Sequence, residues 1–511
     1  RPDVELLCQR AGALFSEEGA LPLCALMLDD ARVFLAAPLP PAGFALDPSR
    51  LYVWLSQADR RFAQNREALI RQAVQTVRSF RVEPLRKPYT PHDAAHDLAR
   101  ALSAVHDPIN GGFGKLKQPL VPALRFLSRV AVHHHQTRTL LDQTLEAMLA
   151  SDLYDPLDGA FFRATLTEDW RVFVPEKPLA LNALLALTLL KSGRRAEAVR
   201  ALDFLLSACS APGGMLNPCL TYSRESCAFT PEQVCAALGG EDGLRACRLL
   251  GLRRQYAGPP PKVTPSRFSP VEDAGQTDLP RTPTLPKTLT PEDAAFLRRV
   301  MPQLLRVRAA RTPPTAAPCV LTEDCALAAT VFALCGRRLG EARYIQLAQR
   351  AVGALTALSP GLPPSYTPVS ALNAQLTCGA GAALALALLT LGQDEALHAY
   401  RESGLRLLGA ALHLFIAPNG MPMHTPQDSA AFFPRIPAIF DSELPSPAAL
   451  LLHALALADG FRPEAGYREA AHTLWAAAAP YARQQPLACA GLIDAANFTL
   501  SGSPEAQTRP Q

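Results

Sequence analysis

Residues 168–187 read EDWRVFVPEKPLALNALLAL, and they hold residue types that a small-molecule site uses. Trp170 offers a flat apolar face of the kind that stacks on a sugar ring. Glu176 and Lys177 form an adjacent acid and base, and Asn182 both donates and accepts hydrogen bonds. Such a stretch reads as a pocket rim leading into an apolar helix, with Glu176 the candidate catalytic group that moves a proton. No His or Asp flanks the Glu-Lys pair, so a second proton carrier is missing. A blander reading stays open beside it. A Glu at a helix start suits the macrodipole, which makes Glu176 and Lys177 a solvated pair, and Trp170 serves equally well as a core aromatic.

Other chemistry-bearing residues point less far. His133, His134 and His135 suggest a metal, but consecutive residues do not share a helix face. The triplet reads instead as a cationic cap at a helix C-terminus. Gly111, Gly112 and Gly114 resemble a phosphate loop, yet no strand precedes them and no Lys-Ser/Thr follows at the required spacing, so a tight turn is expected. The chain carries 12 Cys with no CxxC pair among them. Zinc-finger and redox spacings are therefore absent, and no metal, no cofactor and no redox centre is expected from these residues.

The elements that must position these groups are mostly helical. The chain has 511 residues, 49% hydrophobic and 19% charged, which suits two or three globular domains. Its net charge of +4 is small and dispersed, which argues against nucleic acid as a partner. No uncharged apolar run is long enough for a membrane span, and the scattered Cys suggest a reduced, cytoplasmic protein. Two short apolar runs around Asp29 and Asp30 predict a β-hairpin, followed by a helix over about 59–80. From about residue 92 the 3.6-residue period recurs through to about 500, with single helices expected at 119–134, 138–150 and 231–250 among others. Stretches such as GAGAALALALLTLG at 379–392 are apolar all round and need burial on both sides. A two-layer ring of helical hairpins supplies that burial. Residues 258–290 are rich in Pro, Thr and Ser and read as a linker or surface excursion, and a second Pro cluster follows at 312–318.

Six blocks in order carry a family resemblance: RPDVELL, GALPLCALMLDDARVFLAAPLPP, QNREALI, DPINGGFGKLKQP, LEAMLASDLYDPLDGAFFR and the stretch around Trp170. Together they resemble the spermatogenesis-associated protein 20 and YyaL family. That resemblance implies a thioredoxin-like domain, here its C-terminal part over about 1–85. It implies next an (α/α)6 toroid over about 90–505, similar to N-acylglucosamine 2-epimerases and six-hairpin glycosidases. It also implies a carbohydrate-type pocket to which Tyr154, Asp155, Arg163, Glu176, Lys177 and Asn182 belong.

The departures from the family pattern fall in that pocket. Phe162 and Val174 stand where the family has His, Ala180 replaces a Tyr and Leu181 an Asp. The family's Cys-His-Trp-Cys-His motif would lie upstream of Arg1. LTEDCAL replaces LTSWNGL, and SELPSPAA replaces a segment that carries an Asn. Sugar epimerisation and glycoside hydrolysis need placed His or carboxylate groups. The expectation is therefore a degenerate member that binds a small sugar or a protein partner with weak or no catalysis. The alternatives are an active sugar epimerase or glycosidase, and a thiol-disulfide protein whose Cys pair lies upstream.

Overall fold

The computed structural model describes residues 2–16, 22–78, 85, 87–114, 116–132, 134–252, 262–263, 267–269, 272–273, 281–357, 365–366, 377–427 and 435–500. Helix α1 (Pro2–Ser16) precedes the antiparallel hairpin β1 (Leu23–Met27) and β2 (Val33–Pro38), which pairs Leu23 with Pro38. The predicted turn forms at the acidic pair, where Arg32 donates to Asp30 at 2.7 Å. Helix α2 (Pro48–Arg78) starts earlier than the period suggested and breaks helical geometry at Asn65, φ −132°. Helix α1 was not anticipated, because Gly12 and the polar residues around it blur its apolar stripe. Leu7, Ala11, Val33 and Ala36 join the main core of the chain, so this unit is seated on the helices that follow.

Those helices form a closed double ring. In chain order they are α3 (Pro91–Val105), α4 (Val121–Val130), α5 (His135–Leu149), α6 (Leu179–Lys191) and α7 (Arg195–Ala208), then α12 (Thr322–Leu339), α13 (Ala342–Ala357) and α14 (Cys378–Leu391). The series ends with α15 (His398–Phe415), α16 (Pro447–Phe461), α17 (Tyr467–Gln484) and α18 (Ala490–Leu500). Helix α4 packs on α6, α6 on α12, α12 on α14, α14 on α16, α16 on α18, and α18 returns to α4. Outside this inner ring lie α5, α7, α13, α15, α17 and α3. The fold is an (α/α)6 toroid. Every residue of α14 is buried, as is all of α6 except Lys191, which is the environment their all-round apolar sequences require.

Between α7 and α12 the chain makes an excursion. It contains the single turn α8 (Arg224–Cys227), then α9 (Pro231–Leu238), α10 (Gly240–Leu249) and α11 (Pro291–Ala309), which share a small core of their own around Phe229, Val234, Phe296 and Leu304. The segment expected as one helix at 231–250 divides because Gly239 takes φ 86°. Much of the Pro-rich 258–290 lies outside the described residues, apart from the short pair β5 (Lys262–Val263) and β6 (Glu272–Asp273) and a few neighbours. Short strands β3 (Glu176–Pro178), β4 (Cys219–Thr221) and β7 (Thr315–Ala316) make one sheet, and β8 (Val320–Leu321) pairs with β9 (Ser365–Tyr366).

Local sequence explains several helix starts. Thr-Pro with an acidic or amide residue at the third helical position opens α3, α9 and α11, with Pro at the first. At α3 Asp93 N donates to Thr90 Oγ1 (3.1 Å) while Thr90 N donates to Asp93 Oδ2 (3.3 Å), a reciprocal cap. The His triplet corrects one expectation. Helix α4 ends at Val130, and His135 begins α5 after His134 takes an extended backbone, so His134 and His135 open a helix rather than close one. His133 lies outside the described residues. Among the described residues no helix is long and apolar enough to cross a membrane.

Ring closure rests on contacts between the first and last hairpins. Trp475 of α17 stacks on Tyr89, with ring centroids 6.4 Å apart, and its Nε1 donates to the Tyr89 carbonyl at 2.9 Å. Arg129 of α4 pairs with Asp494 of α18 at 3.0 Å. Trp475→Ala removes a buried ring and this bond, so we expect a loss of about 3–5 kcal/mol, measured by chemical denaturation.

Candidate functional site

Helices alternate between the outer and inner layers, so the inner helices all run the same way and their N-termini meet on one face. The long connections also begin and end there, between α3 and α4, α5 and α6, α7 and α12, α13 and α14, and α15 and α16. The opposite face has only 131–134, 192–194, 340–341, 392–397 and 462–466. The material for a site is thus at the mouth formed by the inner N-termini.

Arg163 is the hub of that mouth. Its Nε donates to Glu176 Oε2 at 2.5 Å, its Nη1 to Glu443, and its Nη2 lies 3.9 Å from Cys219 Sγ. Glu176 is held in place by β3, which pairs with β4. Burial would favour a neutral Arg163, but Glu443 and Glu176 overcome it and keep the guanidinium charged. Glu443 arrives from the connection that leads into α16, and Cys219 from β4.

Opposite them, Glu323 and Asp324 open α12. Both are half-buried, and neither carboxylate has a hydrogen-bond partner among the described residues. Burial and then Glu5 push the Glu323 carboxyl up to about 7. Burial, Glu323 and Glu443 push Asp324 well above the usual carboxylate range, with Arg163 pulling the other way. The Glu323 carboxylate rests on α14 at Gly379, where an added Cβ would fall on the carboxylate itself. Glu5 reaches the same cluster from α1. It keeps much of its own surface exposed, yet the protein crowded around it and Glu443 raise its carboxyl, while Arg163 lowers it. Helix α1 is therefore stationed beside the opening.

Behind the mouth lies a second, fully protein-filled charge cluster. Lys177 Nζ donates to Asp155 (2.7 Å) and Asp158 (2.6 Å), and Arg308 of α11 donates to the same two carboxylates, at 2.7 Å to Asp158. Lys177 is completely buried, so the reading of Glu176–Lys177 as a solvated pair does not hold for Lys177. Rings of Phe162, Tyr222 and Phe204 stand 4.7, 4.8 and 5.1 Å from its ammonium. Burial works against charge here, but Arg308 and Lys177 keep Asp155 ionised, well below its ordinary range. Two cations against two carboxylates leave the cluster neutral, and it bolts the excursion helix α11 to the ring.

The remaining sequence candidates are also in the wall. Tyr154 is buried against Phe161, centroids 4.9 Å apart, and burial pushes its phenol up to about 12. Asn182 accepts from Phe161 N (2.7 Å) and donates to the carbonyls of Phe161 and Pro178 (both 2.9 Å), fixing the loop above α6. Trp170 is buried at φ 61°, with Nε1 donating to the Asn110 carbonyl at 3.0 Å. Its ring lies where a Cβ at Gly112 would be, which is why that turn needs Gly. The glycine turn wraps the buried ammonium of Lys117, which donates to Asp107 (2.8 Å), Gly111 O (2.9 Å) and Gly114 O (3.1 Å).

Of the sequence candidates, then, Arg163 and Glu176 come together at the mouth. Tyr154, Asp155, Trp170, Lys177 and Asn182 build the wall that carries them. Sequence reasoning missed Glu5, Glu323, Asp324 and Glu443. The available signal was Glu323-Asp324 itself, a charged pair leading a helix whose next residues are apolar all round. Chemically, carboxylates that hold protons near neutral pH can hydrogen-bond hydroxyl groups and exchange protons with them. Among the described residues no group of three or more His, Cys, Asp or Glu is arranged to hold a metal ion.

No family model matches this chain, and no curated protein matches it. Solved structures similar to it include a D-mannose isomerase, at 9% identity and TM-score 0.48, covering 76% of this chain and 85% of that one. Another is the cellobiose 2-epimerase from Bacillus thermoamylovorans B4167, at 8% identity and TM-score 0.43, covering 75% and 85%. A third is the GH63 mannosylglycerate hydrolase from Thermus thermophilus in complex with glucose, at 13% identity and TM-score 0.37, covering 79% and 98%. Likeness at this level adds nothing about the chemistry, and the toroid assignment stands on the helix order and ring closure seen in the chain itself.

Two outcomes follow from the geometry. Lys177→Met leaves two buried carboxylates facing one guanidinium and should cost about 3–5 kcal/mol in a denaturant titration. Glu323 behaves differently. Its folded value of about 7 lies above its unfolded value, so the stability this one carboxyl contributes is fully present below about 4.5 and is lost as pH rises through 7. Glu323→Gln abolishes that loss, so its stability advantage should grow between those pH values to at most about 3 kcal/mol.

Proposed function

We propose that the mouth of the toroid binds a small polyhydroxylated ligand of the sugar class, and that turnover there is weak or absent. The observation that carries this reading is the division of polar groups around the opening. Arg163 with its two carboxylates, and the unpartnered Glu323 and Asp324, offer donors and acceptors to hydroxyl groups. Phe162 and Val174, at the positions where the resembled family has His, are buried apolar residues and supply no proton. Glu176 is engaged by Arg163, which makes it a weaker proton carrier than its place in the sequence suggests.

A second reading is favoured by one specific observation, the adjacent pair Glu323 and Asp324 with raised carboxyls. On it the protein is a sugar epimerase or glycosidase-type enzyme whose acid and base come from α12 rather than from Glu176. We also read α1, the hairpin and α2 as the C-terminal part of a thioredoxin-like domain of the spermatogenesis-associated protein 20 and YyaL type, in a cytoplasmic protein. The hairpin-then-helix order supports that reading, and a protein partner in place of a sugar is its natural rival at the mouth.

One assay separates these readings. A panel of neutral mono- and disaccharides is scored for a rise in melting temperature and, by NMR, for conversion. Binding without conversion is the expected result. Conversion that Glu323→Gln abolishes and Glu176→Gln leaves intact would establish the enzyme reading. A panel with neither shift nor conversion would overturn the sugar pocket and leave a protein partner.

A further inference from the structure

The start of α3 carries two metal-ligating side chains that the mouth does not use. The helix opens PHDAAHDLAR, which sets His92 and His96 four residues apart. That spacing puts both side chains on one helix face, one turn apart. It is the spacing at which paired His residues on a helix hold zinc. Both residues are exposed, and their ring centroids stand 4.7 Å apart with the planes at 87°. Inner and outer helices alternate in direction, so this end of α3 lies on the face of the toroid opposite the mouth. Nothing that follows rests on the sugar reading above.

The helix beneath the pair is firmly placed. Ala94, Ala95, Leu98 and Leu102 are buried, and the reciprocal cap between Thr90 and Asp93 fixes the first turn. The nearby carboxylates are engaged elsewhere. Asp93 accepts from Thr90 Oγ1 at 2.7 Å. Asp97 accepts from the Tyr89 hydroxyl at 2.7 Å and from Arg100. Among the described residues the two imidazoles touch each other and make no hydrogen bond or ion pair. Two rings in edge contact have an ordinary explanation as an aromatic pair. The helix dipole offers none, because the N-terminal turn favours anions, not groups that can become cations.

The separation of the rings fits a shared ion. A divalent metal about 2.0–2.1 Å from an imidazole nitrogen stands about 3.2 Å from the ring centroid, so two rings that bind it at right angles have centroids about 4.5 Å apart. Rotation about χ2, which is broad for His, aims one nitrogen of each exposed ring at a common point.

We propose that His92 and His96 form a two-ligand surface site for a divalent transition metal of the copper, nickel and zinc class. Imidazole suits these ions, and the general order of affinities puts Cu²⁺ first among them. Hard ions such as Mg²⁺ demand oxygen ligands and gain nothing from two nitrogens. Among the described residues no third His, Cys, Asp or Glu completes a cage, so the remaining positions fall to water or to donors of another molecule. A metal held across this turn also stiffens the segment that follows Tyr89, the residue that meets Trp475 where the ring closes.

The test uses the full chain, with Ni²⁺, Zn²⁺ and Mg²⁺ titrated by calorimetry against the native protein, His92→Gln, His96→Gln and the double variant. Without metal all four should melt together, because both side chains are exposed. The native chain should bind a single equivalent of Ni²⁺, and each single substitution should weaken that binding by about tenfold or more. The same equivalent should raise the melting temperature, and the substitutions should remove the rise. Electron paramagnetic resonance of the Cu²⁺ form should show two imidazole nitrogens in the native chain and at most one in either single variant. The proposal is overturned if the Ni²⁺ equivalent survives in the double variant, which would place the metal on the thiols or elsewhere. It also fails if one single substitution leaves binding unchanged, since one His would then suffice. Mg²⁺ binding as tightly as Ni²⁺ would overturn it too, by reducing the effect to general charge attraction.

Discussion

Closure of the inner ring is the constraint on which the rest depends. Helices such as α6 and α14 present no polar side, so neither can lie at a surface. Each is satisfied only between two inner neighbours and an outer partner. A row of hairpins would leave its terminal inner helices half bare. Bringing α18 back against α3 and α4 removes both bare ends at once through shared apolar packing, to which Arg129 with Asp494 adds an ion pair, and Trp475 of α17 on Tyr89 an aromatic contact. The apolar core that results is continuous around the ring and extends into α1 and β2.

A ring of parallel inner helices also has an electrical direction. Six N-termini place partial positive charge at one mouth and six C-termini place partial negative charge at the other. The side chains follow this field. Glu323 and Asp324 start α12 and Glu443 precedes α16, whereas Lys191 and Arg338 end α6 and α12. The carboxylates at the mouth are thus partly a response to the fold. What the field does not set is which of them is neutralised. Arg163 settles that by binding Glu176 and Glu443, leaving Glu323 and Asp324 to burial and to each other.

Much of the ring could be read in the sequence, because helix periodicity is a local property and the all-apolar stretches admit few environments. The hairpin around Asp30 was equally legible, as a turn between two short apolar runs. The breaks were less so. Gly239 divides one helical period into two helices, and His135 begins a helix that the pattern alone placed further on. The site was legible only in part. Arg163 and Glu176 lie where the loop pattern pointed. Lys177 instead turns into the wall, because the cluster it joins draws on Asp158, 19 residues before it, and on Arg308 of a distant helix. Such pairings depend on which loops meet, and no local signal encodes it. Glu323 and Asp324 escaped notice for the converse reason, since an acidic pair in a first helical turn is ordinary on local grounds.

The meeting of α18 with α3 has one more consequence. The first outer helix and the last inner helix of the toroid are neighbours, so the hairpins follow chain order around the ring but the ring does not dictate which hairpin comes first. A toroid of this kind is a necklace whose clasp can sit at any link. Opened at a tight turn such as 340–341 and rejoined across the present clasp, the same set of neighbours would be available to every inner helix. The position of the clasp next to the N-terminal unit then matters for a different reason: it is where α1 is hung beside the opening, with Glu5 near Arg163 and Glu443.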